Sequence, residues 1–155
     1  MISVVIATQD SERALLTTLA ALVPGATDGL INEVIVADGG SHDDTEVVAD
    51  AAGCKFLLLE GALGQRLKRA AAAARAPWLL FLRPGIVLDA AWIGETRRFV
   101  ERSASGTGAA VFRRGPTQSA LRHAWSLASA SISPGSRSAT WARPARASKT
   151  SSAGW

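Results

Sequence analysis

The chain has 155 residues, of which 48% are hydrophobic and 19% charged, and its formal net charge is +4. This length favours one main domain, and the apolar content is enough for a core, so a wholly disordered chain is excluded. One cysteine excludes an internal disulfide, and the lack of a Cys/His cluster excludes a structural zinc site. The apolar run 76–82 is far shorter than the roughly 20 residues that span a bilayer, and no basic leader precedes the first strand. We therefore expect a soluble, cytoplasmic protein.

The charge is divided unevenly along the chain. Residues 1–114 carry 13 acidic and 12 basic side chains, whereas residues 115–155 carry five basic side chains and no acidic one. We predict a folded domain over 1–114 and a basic Ser/Ala/Arg-rich tail over 115–155, helical at 117–130 and disordered beyond Ile132. Such a tail suits a peripheral contact with a membrane or another acidic surface, and no nucleic-acid partner is expected. Alternatively, the tail results from a shifted reading frame.

Short apolar runs alternate with amphipathic segments along the first domain. The β-branched run 2–6 predicts a first strand, and Asp10, Ser11 and Glu12 predict the start of a helix that Pro24-Gly25 ends. The other predicted elements are, in chain order, a strand at 31–37, a helix at 45–52 capped by Asp43 and Glu46, a strand at 54–59, a helix at 63–75, a strand at 78–82, a helix at 90–102 and a strand at 109–112.

This alternation predicts an α/β fold, with a mostly parallel sheet and helices on both faces. Ligands of such sheets bind at the carboxyl ends of the strands. The loops to consider as a binding site are therefore 7–11, 37–44, 61–69 and 83–89.

The second of these loops carries polar and flexible residues together. It begins with Asp38, Gly39 and Gly40 and continues as Ser-His-Asp-Asp-Thr. A carboxylate at this position can accept hydrogen bonds from a ribose or a nucleobase, and paired glycines let the backbone approach a ligand. A glycine-rich turn that Asp38 merely caps remains the alternative.

Four segments in this order resemble family 2 glycosyltransferases of the GT-A (Rossmann-like) fold: ISVVIATQDSERALLTTLAAL, EVIVADGGSHDDT, GQRLKRAAAAARAPWLLFL and GAAVFRR. The resemblance is strongest to a small bacterial branch with a DGGS motif, and it covers about residues 2–114. It implies transfer of a sugar from a nucleotide-diphosphate sugar of the UDP or GDP type to an acceptor hydroxyl. Carried over by position, the donor-binding residues are Ala7, Thr8, Asp10 and Asp38, with Gly39 beside them.

The chain departs from this family at its metal and catalytic positions. The family binds Mg²⁺ or Mn²⁺ through an aspartate after the fourth strand, and Gly85 occupies that place, so no metal ligand is predicted. After Glu101 the sequence holds no Asp or Glu to act as a general base. Arg66 and Arg83 are the predicted cations for the donor diphosphate. The alternative is a non-catalytic nucleotide-binding or interaction protein derived from a glycosyltransferase.

Overall fold

The structure, a computed structural model, describes residues 1–103, 108–112 and 140–142. The elements of this part are, in chain order, β1 (Ile2–Thr8), α1 (Glu12–Thr27), β2 (Ile31–Asp38), α2 (Thr45–Ala51), β3 (Lys55–Leu58), α3 (Leu63–Ala72), β4 (Trp78–Leu82), α4 (Trp92–Arg102) and β5 (Thr140–Ala142). The elements β1 to α4 all lie within a few residues of their predicted positions.

The strands form one sheet in the order β3-β2-β1-β4-β5. Strand β1 lies parallel to both β2 and β4, and β2 lies parallel to β3. The predicted α/β fold with a mostly parallel sheet is therefore confirmed. Because β1 and β2 are parallel neighbours, their carboxyl ends lie side by side, with Thr8 opposite Asp38.

The prediction of a fifth strand at 109–112 is wrong. Within these residues only Val111 forms a bridge, and the fifth strand is β5, which pairs antiparallel with β4. The apolar residues Ala110 and Phe112 instead pack against the core on one face of the sheet. Strand β5 belongs to the predicted tail, so disorder beyond Ile132 does not hold at its three residues. The predicted helix at 117–130 lies outside the described residues.

Both faces of the sheet are covered by helices, as a parallel sheet requires. Val4 and Ile6 of β1 face a core that includes residues of α1, α2 and α4, whereas Val5 between them faces a core built with α3. All three side chains are fully buried, which matches the period of two along a strand. No helix in the described ranges is both long enough and apolar enough to cross a membrane.

Helix α1 continues through Pro24 and Gly25, where the sequence predicted its end. The backbone N–H of Asp28 donates to the carbonyl of Pro24 at 3.0 Å, so the helix closes its last turn beyond the proline. Gly25 packs against the indole of Trp92 in α4, and a Cβ at position 25 would lie 2.4 Å from two ring atoms. This contact between α1 and α4 outweighs the poor helix propensity of a Pro-Gly pair.

Candidate functional site

The ends of β1 and β2 are joined by a buried pair of side chains. The hydroxyl of Thr8 donates to Oδ1 of Asp38 at 2.7 Å, and both residues are 1% exposed. The backbone N–H of Gly39 also donates to the carbonyl of Thr8 at 2.9 Å. The structure thus brings together three of the residues that the sequence places in the donor site.

The carboxylate of Asp38 also organises the loop that follows it. Its Oδ2 accepts hydrogen bonds from the N–H groups of Gly40 at 2.8 Å and Ser41 at 2.7 Å, and its Oδ1 accepts one from the Ser41 hydroxyl at 2.6 Å. Together with the Thr8 bond, these contacts occupy the four acceptor positions of a carboxylate. Burial by itself raises the pKa of Asp38, but the hydrogen bonds from Ser41, Thr8 and Gly40 outweigh it and lower the pKa.

A second set of contacts ties the loop after β1 to the loop after β2. The N–H of Asp10 donates to the Ser41 hydroxyl at 2.8 Å, and the N–H of His42 donates to Oδ1 of Asp10 at 2.7 Å. Asp10 has a φ of +46°, a left-handed conformation that aspartate tolerates better than most residues. The predicted site residue Asp10 therefore connects the two loops, although its own side chain is half exposed.

Asp43 and Thr45, which lie in the second loop and at the start of α2, cap the first helix. The carboxylate of Asp43 accepts the N–H of Glu12 at 3.0 Å, and the Thr45 hydroxyl accepts the N–H of Ser11 at 3.0 Å. The predicted capping box of Asp43 and Glu46 is wrong, because Asp44 holds the N-cap position of α2 and makes no side-chain cap bond. Sequence reasoning missed these cross-loop partners. Their only signal was a cluster of short polar side chains.

Arg66 of α3 lies beneath the ends of β1 and β2 and is only 8% exposed. Its Nη1 donates to the carbonyl of Thr8 at 2.8 Å and to that of Ala37 at 3.4 Å. Its Nε is buried without a hydrogen-bond partner, and within the described ranges no ion pair joins it to a carboxylate. The guanidinium is therefore at the predicted edge of the sheet, but below the loop and not on its surface. Its contact with a diphosphate stays a prediction.

The remaining predicted residues lie around this centre. Ala7 is half-buried in β1, opposite Ala37 of β2. Arg83 is exposed directly after β4, on the side of β1 away from β2. The sheet order thus gathers Ala7, Thr8 and Asp10 close to the second loop and leaves Arg83 one strand further along.

Two open grooves adjoin the interlocked loops. The larger, about 460 Å³, is lined by Phe56 and Leu58 of β3 on one side and by polar residues of the second loop and of α2 on the other. The polar lining residues are Asp38, Gly40, Ser41, His42, Asp43 and Glu46. The smaller, about 320 Å³, lies at the start of α1 and is lined by residues 10–14 and Asp43. The larger groove combines an aromatic side chain with hydrogen-bonding groups, as small-molecule sites do.

The turn after β4 does not fit the divalent metal ion that the resemblance implies. Gly85, which occupies the expected ligand position, has a φ of +85°. Its N–H donates to α1 through the Thr18 hydroxyl and the Ala14 carbonyl, both at 2.9 Å. Asp89 accepts the N–H of Ala91 at 2.8 Å in the turn that leads into α4. In residues 1–103, 108–112 and 140–142, no three His, Cys, Asp or Glu side chains are grouped so that they could hold a metal.

Comparison with known proteins gives curated relatives of one kind. The chain is 36% identical over 95 residues to the glucosyl-3-phosphoglycerate synthase of Mycolicibacterium paratuberculosis and 33% identical over 95 residues to that of Mycobacterium tuberculosis. Each alignment covers 56% of this chain and 29% of the relative. The chain therefore spans less than a third of the length of these relatives.

Solved structures agree with the sequence comparison. The glucosyl-3-phosphoglycerate synthase of Mycobacterium tuberculosis in complex with UDP superposes with a TM-score of 0.58 at 26% identity, covering 75% of this chain and 45% of that one. The same enzyme with Mn²⁺, UDP and glucosyl-3-phosphoglycerate gives a TM-score of 0.53 at 25% identity, covering 68% of this chain and 40% of that one. A family model, "Glycosyl transferase family 2", matches residues 3–147. The chain belongs to glycosyl transferase family 2 and has the GT-A fold of that family.

Proposed function

We propose that this chain binds a nucleotide-diphosphate sugar and takes part in transfer of the sugar to an acceptor hydroxyl. In such a transfer, the acceptor oxygen forms a bond to the anomeric carbon, the bond from that carbon to the diphosphate breaks, and the nucleoside diphosphate leaves. UDP-sugars are the first donors to test, because similar solved structures hold UDP. Family membership and the architecture of the two loops both support this proposal.

The observation that carries the proposal is the buried Thr8–Asp38 pair at the ends of β1 and β2. It sits where ligands of parallel sheets bind, and the loops above it are held together by Asp10 and Ser41. A loop fixed before binding loses little conformational entropy when a ligand arrives. The arrangement therefore suits recognition of a ligand with several hydrogen-bonding groups.

In this proposal the nucleoside occupies the larger groove beside the second loop. Phe56 supplies an aromatic surface for a base, Leu58 extends it, and the exposed side chain of His42 supplies a polar contact. Asp38 contributes by exchanging one of its loop hydrogen bonds for one from the ligand, since all of its acceptor positions are in use. Asp10 lines the adjoining smaller groove, whereas Ala7 and Thr8 lie within β1 and support the loops.

Two arginines are proposed to act on the diphosphate, with no step that depends on a metal ion. Arg83 is exposed after β4 and can form a bidentate contact with phosphate oxygens. Arg66 and Gly39 contribute from below, through the backbone of the loop. The protein's bacterial and cytoplasmic setting and a contact of the basic tail with an acidic surface remain predictions.

A second candidate function is binding without turnover. It is favoured by the turn after β4, where Gly85 has a φ of +85° and does not fit a metal ligand. A chain that holds a nucleotide in its loops but does not stabilise the leaving diphosphate would bind the nucleotide and leave the sugar bond intact.

Calorimetric titration of the purified chain with UDP, GDP and their sugars, with and without Mn²⁺, tests both candidates. Binding of UDP that Asp38→Ala weakens supports the proposed site, and release of UDP from a UDP-sugar then selects transfer over binding alone. Binding that occurs only with Mn²⁺ would contradict the assignment of the diphosphate to arginines. A folded chain that binds no nucleotide would overturn both candidates.

A further inference from the structure

The guanidinium of Arg66 occupies an unusual place for a charged group. It is buried below the ends of two strands, where its Nη1 bridges the carbonyls of Thr8 and Ala37 at 2.8 and 3.4 Å. Its Nε is buried without a partner. A buried cation with an unsatisfied N–H destabilises a fold by itself, so this placement calls for a function that offsets the penalty.

Gly39 lies directly against this guanidinium. A Cβ at position 39 would lie 2.2 Å from Nη1 of Arg66, 2.8 Å from its Cζ and 3.3 Å from its Nη2. Gly39 does not have a left-handed φ, unlike Gly40 with a φ of +94°. A side chain at position 39 would therefore displace the guanidinium from its present place, whereas the backbone conformation does not by itself call for a glycine.

We propose that Arg66 is a positioning residue of the nucleotide site and that Gly39 is its matched partner. From beneath the loop, Arg66 ties the carbonyl of Thr8 at the end of β1 to that of Ala37, one residue before the end of β2, and so fixes the spacing of Thr8 and Asp38. Gly39 leaves room for the guanidinium to reach both carbonyls. The effect on nucleotide affinity rests on the proposed function, whereas the pairing of the two residues can be tested by stability alone.

The pairing is tested by thermal unfolding of four proteins: the wild type, Gly39→Ala, Arg66→Gln and the double variant. A glutamine ends near the position of Nε, so Arg66→Gln removes the three atoms that a Cβ at position 39 would meet. We expect Gly39→Ala to lower the midpoint by about 5 °C or more in the wild type and by less than half as much in Arg66→Gln. If Gly39→Ala alone does not fold, recovery of a folded double variant supports the pairing. Equal shifts in both backgrounds, or no shift with Arg66 present, would overturn it.

The positioning role is tested by UDP affinity in Arg66→Gln, Arg66→Lys and the exposed control Arg69→Gln, which lies on the same helix. We expect Arg66→Gln to weaken UDP binding about ten-fold or more, and Arg66→Lys to recover part of the loss because it keeps a charge and a donor. Arg69→Gln should stay within about two-fold of the wild type. A folded Arg66→Gln protein that binds UDP as tightly as the wild type would show that Arg66 has only a structural role, and would overturn its positioning role in the nucleotide site. If the wild type binds no UDP, the proposed function fails, and the stability experiment still decides the pairing.

Discussion

Thr8 donates a 2.7 Å hydrogen bond to Asp38, and this contact joins the carboxyl ends of two parallel strands at a point where both residues are 1% exposed. The same carboxylate accepts three further hydrogen bonds from Gly40 and Ser41, and Ser41 in turn accepts the N–H of Asp10 in the neighbouring loop. One buried carboxylate thus holds two strand ends and two loops in register. The shape of the proposed donor site depends on this network of side chains as much as on the sheet below it.

Replacing Thr8 by valine tests how much this network contributes to stability. Valine keeps the branched shape and removes the hydroxyl, so a buried, charged acceptor loses one donor. We expect the free energy of unfolding to fall by about 1–3 kcal/mol, measured by urea denaturation. Thr17→Val is the matched control, because Thr17 is exposed on α1 and bonds only to its own helix at the Arg13 carbonyl. A Thr8→Val protein as stable as the control would show that the bond is not needed.

Acid should weaken the fold through Asp38. Burial raises the pKa of this group, but hydrogen bonds from Ser41, Thr8 and Gly40 lower it below its ordinary value of 3.8. The unfolded chain therefore binds a proton more readily, so the stability from Asp38 is fully present above about pH 4 and is lost as the pH falls through the lowered value. We expect the stability difference between the wild type and Asp38→Asn, measured by urea denaturation from pH 7 to pH 3, to shrink below pH 4.

Other acidic groups do not alter the difference in stability between the wild type and Asp38→Asn. Glu33 and Asp43 also have lowered pKa values, but they titrate in both proteins and cancel in the difference. A difference between wild type and Asp38→Asn that stays constant down to pH 3 would contradict the assignment of the effect to Asp38.

Local sequence patterns predicted the elements of the sheet because their signals lie within a few residues. Strand β4, Trp78–Leu82, has the predicted bounds, since an apolar run stands between a proline and a polar turn. The fifth strand was misplaced because its pairing with β4 joins residues about sixty positions apart, and the apolar content of 109–112 does not specify such non-local pairing. Helix α1 extends beyond its predicted end at Pro24-Gly25, because the indole of Trp92 packs against Gly25.

The sequence predicted that several residues of the candidate site lie together, but not the contacts between them. The position of Asp38 at the end of a strand was enough to put it beside Thr8 once the strand order was known. The hydrogen-bond partners of Asp38 lie three residues away at Ser41 and thirty residues away at Thr8. No local sequence pattern specifies a partner thirty residues away. The burial of Arg66 also escaped sequence reasoning, because an arginine on an otherwise polar stretch is usually solvated.

The contact between Gly25 and Trp92 predicts an unusual result for a glycine in a helix. Replacing glycine by alanine at an open helical position raises the free energy of unfolding by up to about 1 kcal/mol. Gly94 of α4 is such a position, because a Cβ added there has nothing within 4 Å. At position 25 the new methyl would strike the indole at 2.4 Å. We expect Gly25→Ala to lower the free energy of unfolding by about 1–3 kcal/mol and Gly94→Ala to raise it. Stabilisation by both changes would contradict the packing of Trp92 on this glycine.

Restoring a carboxylate at Gly85 should not create a metal site. The residue has a left-handed φ of +85°, which a side chain would strain. Its N–H is hydrogen-bonded to Thr18 and Ala14 of α1, so the turn cannot relax without losing these contacts. We expect Gly85→Asp and the strain control Gly85→Ala each to lose about 1–2 kcal/mol of stability. Neither should bind Mn²⁺ in a titration followed by electron paramagnetic resonance, with or without UDP.

The comparison of Gly85→Asp with Gly85→Ala separates the carboxylate from the strain. A divalent ion held by protein and nucleotide needs more than a single ligand in the correct geometry, and the described residues contain no group of three His, Cys, Asp or Glu side chains that could hold one. Binding of Mn²⁺ by Gly85→Asp at least about ten-fold tighter than by Gly85→Ala would contradict this reasoning. It would show that the turn tolerates the aspartate and that the rest of a metal site is still present, and a donor site dependent on arginines alone would then have to be abandoned.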